Sequence, residues 1–257
     1  MLRSLFTSKS GMYAQQNKLD SISNNLANST TMGYKRVDVG FKDLLSESLD
    51  RKGTPLNDKE SIMGTGVRTT DYFRDNSQGM LQRTMRSTDL SIDGEGYFRI
   101  DTPDGKALYT RDGSFKIDAR GRLVDGRGNK VHMKYEQGYN EDNLKLTTSN
   151  MLVDNTGAVF IKDSGTFKKV GSIPTYTATG NESFTSVGDN LFEAGNGVRV
   201  TETTNNDVYQ GLLESSNVDV AQEFTDMILT QRAFQLSSKS LQTSDEMWGM
   251  INNMRSR

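Results

Sequence analysis

The sequence predicts an α+β protein: a discontinuous, coiled-coil-like domain of two helices from the two chain ends, plus an antiparallel β-rich middle domain. Three observations support this. An unbroken seven-residue apolar repeat runs near the C-terminus, and a matching repeat opens the chain. Between them, short aromatic and β-branched runs alternate with Asp-Gly turn signals. A repeat of seven keeps one row of side chains on one face of a long helix, so the two helices are expected to pair.

The N-terminal helix is predicted over about residues 4–28. Its seven-residue row, with Ile22 beside it, consists of Leu5, Met12, Leu19 and Leu26. Residues 28–33 combine short polar and β-branched residues with a terminal glycine, which is typical of a helix end. Residues 1–33 are therefore predicted to form the first half of the helical domain.

Residues 34–66 are predicted to form an extended connector, because they are polar and carry several glycines and a proline. Within it, Phe41, Leu44, Leu45 and Leu49 indicate a short amphipathic turn or helix.

Residues 67–217 are predicted to form the β domain. Asp-Gly occurs at positions 93–94, 104–105, 112–113 and 125–126, and this dipeptide supplies the positive φ angles that tight hairpin turns need. Short strands separated by such turns favour an antiparallel meander. No strand order is predicted for residues 134–170.

The C-terminal helix is predicted within residues 218–257, beginning at Val220. Asp219 and Gln222 form a capping-box pattern before it. Its seven-residue row, with Phe224 beside it, consists of Val220, Met227, Phe234, Leu241 and Trp248. The second row expected of a coiled coil holds polar residues instead, namely Gln231, Ser238 and Asp245.

Two interpretations of these narrow helix seams are open. In one, the helices form a pair that caps a globular core. In the other, the helices bury their apolar faces only among many copies of the chain. The second is favoured because both helices lack the wide apolar stripe that packing on a globular core requires. A hydrophobic fraction of 33% and a mean hydropathy of −0.65 fit either an elongated molecule or one that completes its burial by assembly.

Composition argues against several classes of function. A net charge of −2 gives no electrostatic reason to bind nucleic acid or an anionic membrane. With no cysteine and only His132, a thiolate metal site, a zinc site and a nucleophilic triad are all disfavoured. We expect no catalytic residues, metal or cofactor, and no membrane insertion. The first residues hold no apolar run typical of a signal peptide, so export without a cleaved leader is expected.

Several stretches together resemble one family, the axial proteins of the bacterial flagellum, which comprise its rod and hook subunits. Residues 10–12 and 33–35 match its N-terminal signature, and residues 214–220 and 231–234 match its C-terminal signature. Residues 77–79, 89–98 and 109–113 match between them. The individual signature positions are Asn24, Asn25, Ala27, Asn28, Gly33, Tyr34, Asn217 and Val218.

The resemblance implies a structural subunit and no enzyme. It implies an inner tube of paired terminal helices, an outer β domain, and helical self-polymerisation into a hollow drive shaft in the basal body, outside the cytoplasm. It implies contacts with other axial proteins of the rod and hook, and passage through the flagellar type III export apparatus.

Within this family, the single β domain and residues 33–36 and 41–45 look most like a distal rod subunit. A proximal rod subunit and a hook-type protein are the alternatives inside the family. A cell-wall glycan hydrolase, a β-rich adhesin and a phage tail component are less favoured alternatives from other classes.

Overall fold

The computed structural model describes residues 2–44, 46–48, 62–141, 143–163, 165–178, 184–195 and 197–255. The chain divides into two compact units, which we call the helix unit (residues 1–27, 37–75 and 219–257) and the β unit (residues 28–36 and 76–218). The expected limits of a tube domain, a connector and an outer domain concern the assembled protein and stay a prediction.

The helix unit contains two long helices and a β-hairpin. Helix α1 spans Leu2–Ala27 and helix α2 spans Val220–Arg255, close to the predicted bounds. Strands β1 (Val37–Asp43) and β4 (Val67–Arg74) pair antiparallel and both pack on α1. Between them lie the paired strands β2 (Ser46–Ser48) and β3 (Ile62–Gly64). Neither described helix combines the length and apolarity needed to cross a membrane.

The cap of α2 forms as predicted, but only one half of the capping box is made. The Asp219 carboxylate accepts hydrogen bonds from the Ala221 amide (2.9 Å) and the Gln222 amide (3.2 Å). The Gln222 side chain does not complete the box, because it donates to Asp226 instead (3.3 Å). The Asp219 carboxylate therefore still accepts hydrogen bonds from two of the first-turn backbone amides, which have no partner within the helix.

The short amphipathic turn or helix predicted from Phe41, Leu44, Leu45 and Leu49 is wrong for Phe41 and Leu44, the two of these residues that the structure describes. Phe41 lies in β1, whose backbone pairs with β4 over most of its length, and Val39 is its buried residue. The β-branched residues at positions 37 and 39 favour a strand, and the partner strand satisfies its backbone groups. Leu44 follows β1 without helical structure, whereas Leu45 and Leu49 lie outside the described residues.

The β unit consists of short strands, and the pairings described for it are antiparallel, which confirms the predicted α+β class. In chain order, its strands are β5 (Leu81–Arg83), β6 (Leu90–Asp93), β7 (Tyr97–Asp101), β8 (Ala107–Thr110), β9 (Lys116–Ile117), β10 (Leu123–Val124), β11 (Lys130–Val131), β12 (Lys134–Tyr135), β13 (Met151–Val153), β14 (Ala158–Asp163), β15 (Thr166–Ser172), β16 (Thr175–Ala178), β17 (Phe184–Gly188), β18 (Leu191–Ala194), β19 (Val200–Thr203), β20 (Asp207–Gln210) and β21 (Leu212–Glu214).

A nine-stranded sheet forms the centre of the β unit. Its main path runs β17-β18-β8-β7-β11-β10-β9, and β16 joins it through β7 and carries β19. A second sheet has the order β12-β15-β14-β13, while β20 pairs with β6 and β21 with β5. Together the strands enclose an apolar core whose most fully buried side chains are Leu90, Ile92, Phe98, Ile100, Phe115, Leu146, Val159 and Ile173.

The Asp-Gly dipeptides predict where the chain turns more reliably than they predict a positive φ at the glycine. Gly94 and Gly105 have the expected positive φ, of 110° and 80°. Gly113 does not, and the reason for glycine there is space: a Cβ atom would lie 1.6 Å from the Leu90 carbonyl oxygen. The dipeptide therefore marks a close backbone approach at this position rather than a left-handed turn.

Candidate assembly surfaces

The two helices of the helix unit meet through small, hydroxyl-bearing side chains. The Ser4 and Ser244 hydroxyl oxygens are 3.3 Å apart, and the Ser8 hydroxyl donates to Ser240 (3.1 Å). Residue numbers fall along α2 as they rise along α1, so the helices run antiparallel. At these positions the helices present small hydroxyl side chains where a tight coiled coil would have large apolar ones.

Further along the same contact, Gly11 lies opposite Ser237 with room for a Cβ atom. A Cβ atom on Gly11 would lie 3.5 Å from the Ser237 hydroxyl oxygen, an ordinary van der Waals distance. At the far end, Asn25 donates to the fully buried Glu223 carboxylate (3.2 Å). Glu223 stands in the first turn of α2, where the helix dipole favours a negative charge.

The row of α2 that faces α1 therefore differs from the predicted second row. Glu223, Thr230 and Ser244 are buried, and Ser237, in the same seven-residue row, is half-buried. Gln231 and Asp245, which the sequence placed in that row, are exposed. The antiparallel helix approaches α2 through its smallest residues, so the second row lies one position earlier than expected. A search for serines and threonines spaced seven apart would have found it.

The predicted apolar seam residues occupy intermediate and exposed positions. Ile22 is buried, and the half-buried members are Leu5, Met12, Leu19, Leu26, Met227, Phe234 and Leu241. Val220, Phe224 and Trp248 are exposed. The row containing Phe234 therefore flanks the helix–helix contact, and its assignment as an assembly seam stays a prediction.

Helix α2 also exposes large apolar side chains that the sequence-based seam did not include. Leu236 is 70% exposed and Met254 is 71% exposed. Others on the same helix are Ile228, Leu229, Met247, Met250 and Ile251. On α1, Phe6 and Tyr13 are the large apolar side chains exposed to a similar degree. A large exposed apolar surface of this kind is typical of a protein–protein contact site.

One signature residue, Asn25, fastens α1 to the hairpin. Its side-chain amide donates to the Val37 carbonyl oxygen and accepts from the Val37 amide, both at 2.9 Å. The Ser21 hydroxyl donates to the same carbonyl oxygen (2.6 Å). The neighbouring signature residues Asn24 and Ala27 are exposed, and Ala27 ends α1.

The remaining signature residues lie in the β unit. Gly33 has a φ of 68°, donates its amide to the Glu214 carbonyl oxygen (2.8 Å), and leaves no room for a Cβ atom beside Asp112. The side-chain oxygen of Asn217 accepts a hydrogen bond from the Arg36 backbone amide (2.7 Å), and the backbone amide of Asn217 donates to the Tyr34 carbonyl oxygen (3.4 Å). Val218 is half-buried, and Asn28 caps a turn through the Thr31 hydroxyl.

Beside these residues lies a buried cluster of charges, which we call the clasp: Lys35, Arg111 and Glu214. Each of the three residues is less than 5% exposed. Lys35 Nζ donates to Glu214 Oε1 (2.5 Å), and Arg111 Nη1 donates to Glu214 Oε2 (3.1 Å). Backbone groups complete the cluster, because the Gly79 amide donates to Glu214 Oε1 (2.9 Å) and Lys35 also donates to the Ser77 carbonyl oxygen (2.8 Å). Sequence reasoning did not predict this cluster.

The described polar and aromatic residues of the β unit have contacts that account for them structurally. His132 pairs through Nδ1 with Asp101 (2.7 Å), at the edge of a cavity of about 220 Å³. Burial raises the pKa of Tyr109 and of Tyr176, as expected for phenols packed among other aromatic rings. Among the described residues, no group of three His, Cys, Asp or Glu side chains is arranged to hold a metal ion.

Comparison with known families accounts for both ends and the middle of the chain. The model for flagella basal body rod protein matches residues 5–35, and that for the C-terminal part of the flagellar basal body rod FlgEFG proteins matches residues 209–254. The flagellar hook protein FlgE/F/G D1 domain matches residues 91–167.

Relatives that align over nearly their full length indicate the same family. The flagellar basal-body rod protein FlgG of Bacillus subtilis is 37% identical, with 99% of this chain and 100% of the relative aligned. The chain belongs to the FlgG-type flagellar basal-body rod proteins. FlgG of Borreliella burgdorferi is 35% identical over 99% of both chains, and FlgG of Buchnera aphidicola from Acyrthosiphon pisum is 36% identical over 99% and 100%. The resemblance identified from the signature residues is thus confirmed.

Proposed function

We propose that this protein is a structural subunit of the distal flagellar rod and polymerises helically into a hollow shaft that transmits torque to the hook. The observation that carries the proposal is the surface of α2. Its large apolar side chains face solvent in a single copy, whereas the side-chain hydrogen bonds described between α1 and α2 come from serines and from the Asn25–Glu223 pair. Further copies of the chain are the partners that such a surface fits.

The energetics favour assembly over a stable isolated helix pair. A serine–serine hydrogen bond replaces bonds to water and contributes only about 1 kcal/mol net. Each large apolar side chain covered by a neighbour contributes about 1.5–3 kcal/mol. Side chains such as Leu229, Leu236 and Met250 are exposed on α2. Covering them between copies therefore contributes more favourable free energy than the hydrogen bonds between α1 and α2.

Family membership supports a proposal for the partners and the location of this protein. We propose that the rod and hook proteins are the neighbours of this chain in the axial structure, that it lies in the basal body outside the cytoplasm, and that it leaves the cell through the flagellar type III export apparatus. We propose a mechanical role without catalysis, since the residues named above act by packing, capping and fixing the backbone.

Electron microscopy of the purified protein tests polymerisation. We expect tubes or filaments from the unaltered chain, and globular particles from Phe234→Asp, which places a charge in the half-buried row beside the helix contact. Lys239→Asp is the matched control because Lys239 is exposed on the same helix. Tubes from both variants, or from neither the variants nor the unaltered chain, would count against the proposal.

A deletion strain tests the position in the rod. Cells without this protein should build the earlier parts of the basal body and stop before the hook. Hooks attached to complete rods would rule out a distal position, and a rod truncated near its base would favour the proximal alternative.

A further inference from the structure

The clasp lies within the β unit, close in sequence to points where the chain passes from one unit to the other. The chain crosses between them after residues 27, 36, 75 and 218. Three of these crossings lie within a few residues of the clasp: residues 33–36 lead into β1, residues 77–79 follow β4, and residues 214–217 lead into α2. The clasp thus holds, inside the β unit, three of the segments that continue into the helix unit.

A single carboxylate joins these segments. Glu214 receives hydrogen bonds from Lys35 of the first segment, from the Gly79 amide of the second, and from Arg111 at the end of β8. Arg111 also donates to the carbonyl oxygens of Ile92 (3.3 Å) and Gly94 (2.5 Å), which are part of the sheet region. The three crossing segments are therefore tied to one another and to the folded β core.

Stability alone does not explain buried charges here. An ion pair taken out of water loses its hydration, and well-packed apolar residues of similar size often stabilise a protein as well or better. The large hydrophobic cluster of the same unit, which includes Phe98 and Ile100, shows that such apolar packing is available to this fold. What a hydrogen-bonded charge cluster adds is a fixed direction for each contact, because each donor meets a particular oxygen.

Further contacts around the clasp also hold these segments against one another. The Gly33 amide donates to the Glu214 carbonyl oxygen, and the Asn217 side chain donates to both the carbonyl and the hydroxyl oxygen of Ser77 (3.1 Å each). Gly79 packs so tightly that a Cβ atom would lie 2.0 Å from the Ser215 carbonyl oxygen. These segments have little freedom to slide past each other.

We propose that the clasp is the mechanical joint through which torque carried by the assembled helices reaches the β unit. The inference rests on the proposed function as a rod subunit. In this role Glu214 is a positioning residue: it holds the three segments in fixed register under load, while the helices supply polymerisation. Loosening the clasp should leave assembly intact and weaken the shaft when the load is high.

The first test is hydrogen exchange on the full-length protein carrying Glu214→Gln. Removing the charge leaves Lys35 and Arg111 buried without their carboxylate partner. Exchange in residues 33–36, 77–79 and 214–217 should accelerate by about tenfold or more, while β7 and β8 keep their protection. The matched control is Glu202→Gln, which breaks the exposed Lys134–Glu202 pair in the same unit and should leave the clasp unchanged. Unchanged exchange in the clasp segments of Glu214→Gln would overturn the proposal.

The second test measures motility in dilute and in viscous medium. Glu214→Gln cells should form tubes and swim normally at low load, and lose at least about half their speed relative to wild type at high load. An equal loss at both loads, or none, would overturn the proposal. If Glu214→Gln unfolds the β unit, Lys35→Met decides instead, since it removes the contacts of Lys35 with Glu214 and Ser77 and keeps the Arg111–Glu214 pair. Failure of the wild-type chain to form tubes would contradict the proposed function, whereas the exchange result does not depend on tubes.

Discussion

The two units of this chain differ in how many of their large apolar side chains they bury. In the β unit, residues such as Phe98, Ile100 and Val159 are completely enclosed by neighbouring strands. In the helix unit, the contact between α1 and α2 is lined by serines, and side chains such as Leu236 and Met254 face outward. The β unit therefore has an enclosed apolar core in a single copy, and the exposed apolar side chains of the helix unit fit the assembly proposed above.

This difference shows how one chain can combine a fixed module with an assembling one. Apolar burial is the main favourable contribution to folding, so the unit that buries these side chains internally keeps its stability at any concentration. A unit that exposes them gains stability only through association, which follows mass action. The following predictions test this division.

The largest effect is expected in the β core. Phe98 is fully buried and packs edge-to-face on Phe115, with ring centroids 5.3 Å apart. Phe98→Ala should lower the free energy of unfolding of the β unit by about 3–5 kcal/mol. Denaturant unfolding followed by the β signal measures it. Phe167→Ala, at an exposed position of β15, is the control and should change stability by less than about 0.5 kcal/mol. Similar losses in the two variants would contradict an enclosed core.

The next effect should appear in assembly alone. Leu236 is 70% exposed in the single copy, so Leu236→Ala should leave monomer unfolding almost unchanged. If a neighbouring copy covers this side chain, its loss removes about 1.5–3 kcal/mol per subunit, which raises the critical concentration for polymerisation about tenfold to a hundredfold. Sedimentation of polymer from monomer across a concentration series measures this shift.

The control for that experiment is Gln242→Ala, an exposed polar position on the same helix. It should leave the critical concentration within about twofold of wild type, since exposed polar substitutions have small effects. A lower monomer stability in Leu236→Ala, or equal critical concentrations in both variants, would show that the outward face is not an assembly surface.

The sequence predicted the elements of this fold better than their contacts. A seven-residue repeat reveals a long helix wherever it packs, so the bounds of α1 and α2 and the Asp219 cap were accessible. The face of each helix that contacts the other could not be predicted from hydrophobicity, because a row of serines and threonines carries no hydrophobic signal. The row of Thr230 and Ser244 was missed for that reason.

The β unit shows the same limit in another form. Turn residues and alternating patterns identify short strands, but pairing between strands distant in sequence depends on the whole core. The union of Lys35, Arg111 and Glu214 is an example, since the ion pairs join residues 179 and 103 positions apart. No local pattern marks such a cluster, and only the fold brings it together.

A smaller effect is expected where the helices approach most closely. A Cβ atom at Gly11 would meet the Ser237 hydroxyl oxygen at an ordinary distance of 3.5 Å, so alanine fits. Gly11→Ala should stabilise α1 by up to about 1 kcal/mol, because glycine is a poor helix former. Gly11→Leu should force the helices apart. Circular dichroism of the assembled protein on heating distinguishes them, and equal behaviour of the two variants would contradict close helix packing.

The smallest effect concerns acid, and it should be confined to the β unit. Arg122 donates to Asp118 (2.8 Å) and to Glu141 (3.1 Å). The hydrogen bond from Arg122 lowers the pKa of Asp118, and hydrogen bonds from Lys130 and then Arg122 lower the pKa of Glu141. A carboxyl whose pKa is lower in the folded state stabilises that state above its unfolded pKa, near pH 4, and this contribution is lost as pH falls through the lowered value.

The stability of the β unit, measured as the midpoint of its unfolding transition, should therefore decrease slightly when the pH falls below about 4. The decrease should be smaller in Arg122→Gln, whereas Arg120→Gln, at an exposed position nearby, should follow wild type. Because these groups are partly exposed, salt should reduce the difference, and identical acid profiles for wild type and Arg122→Gln would show that the ion pairs do not contribute.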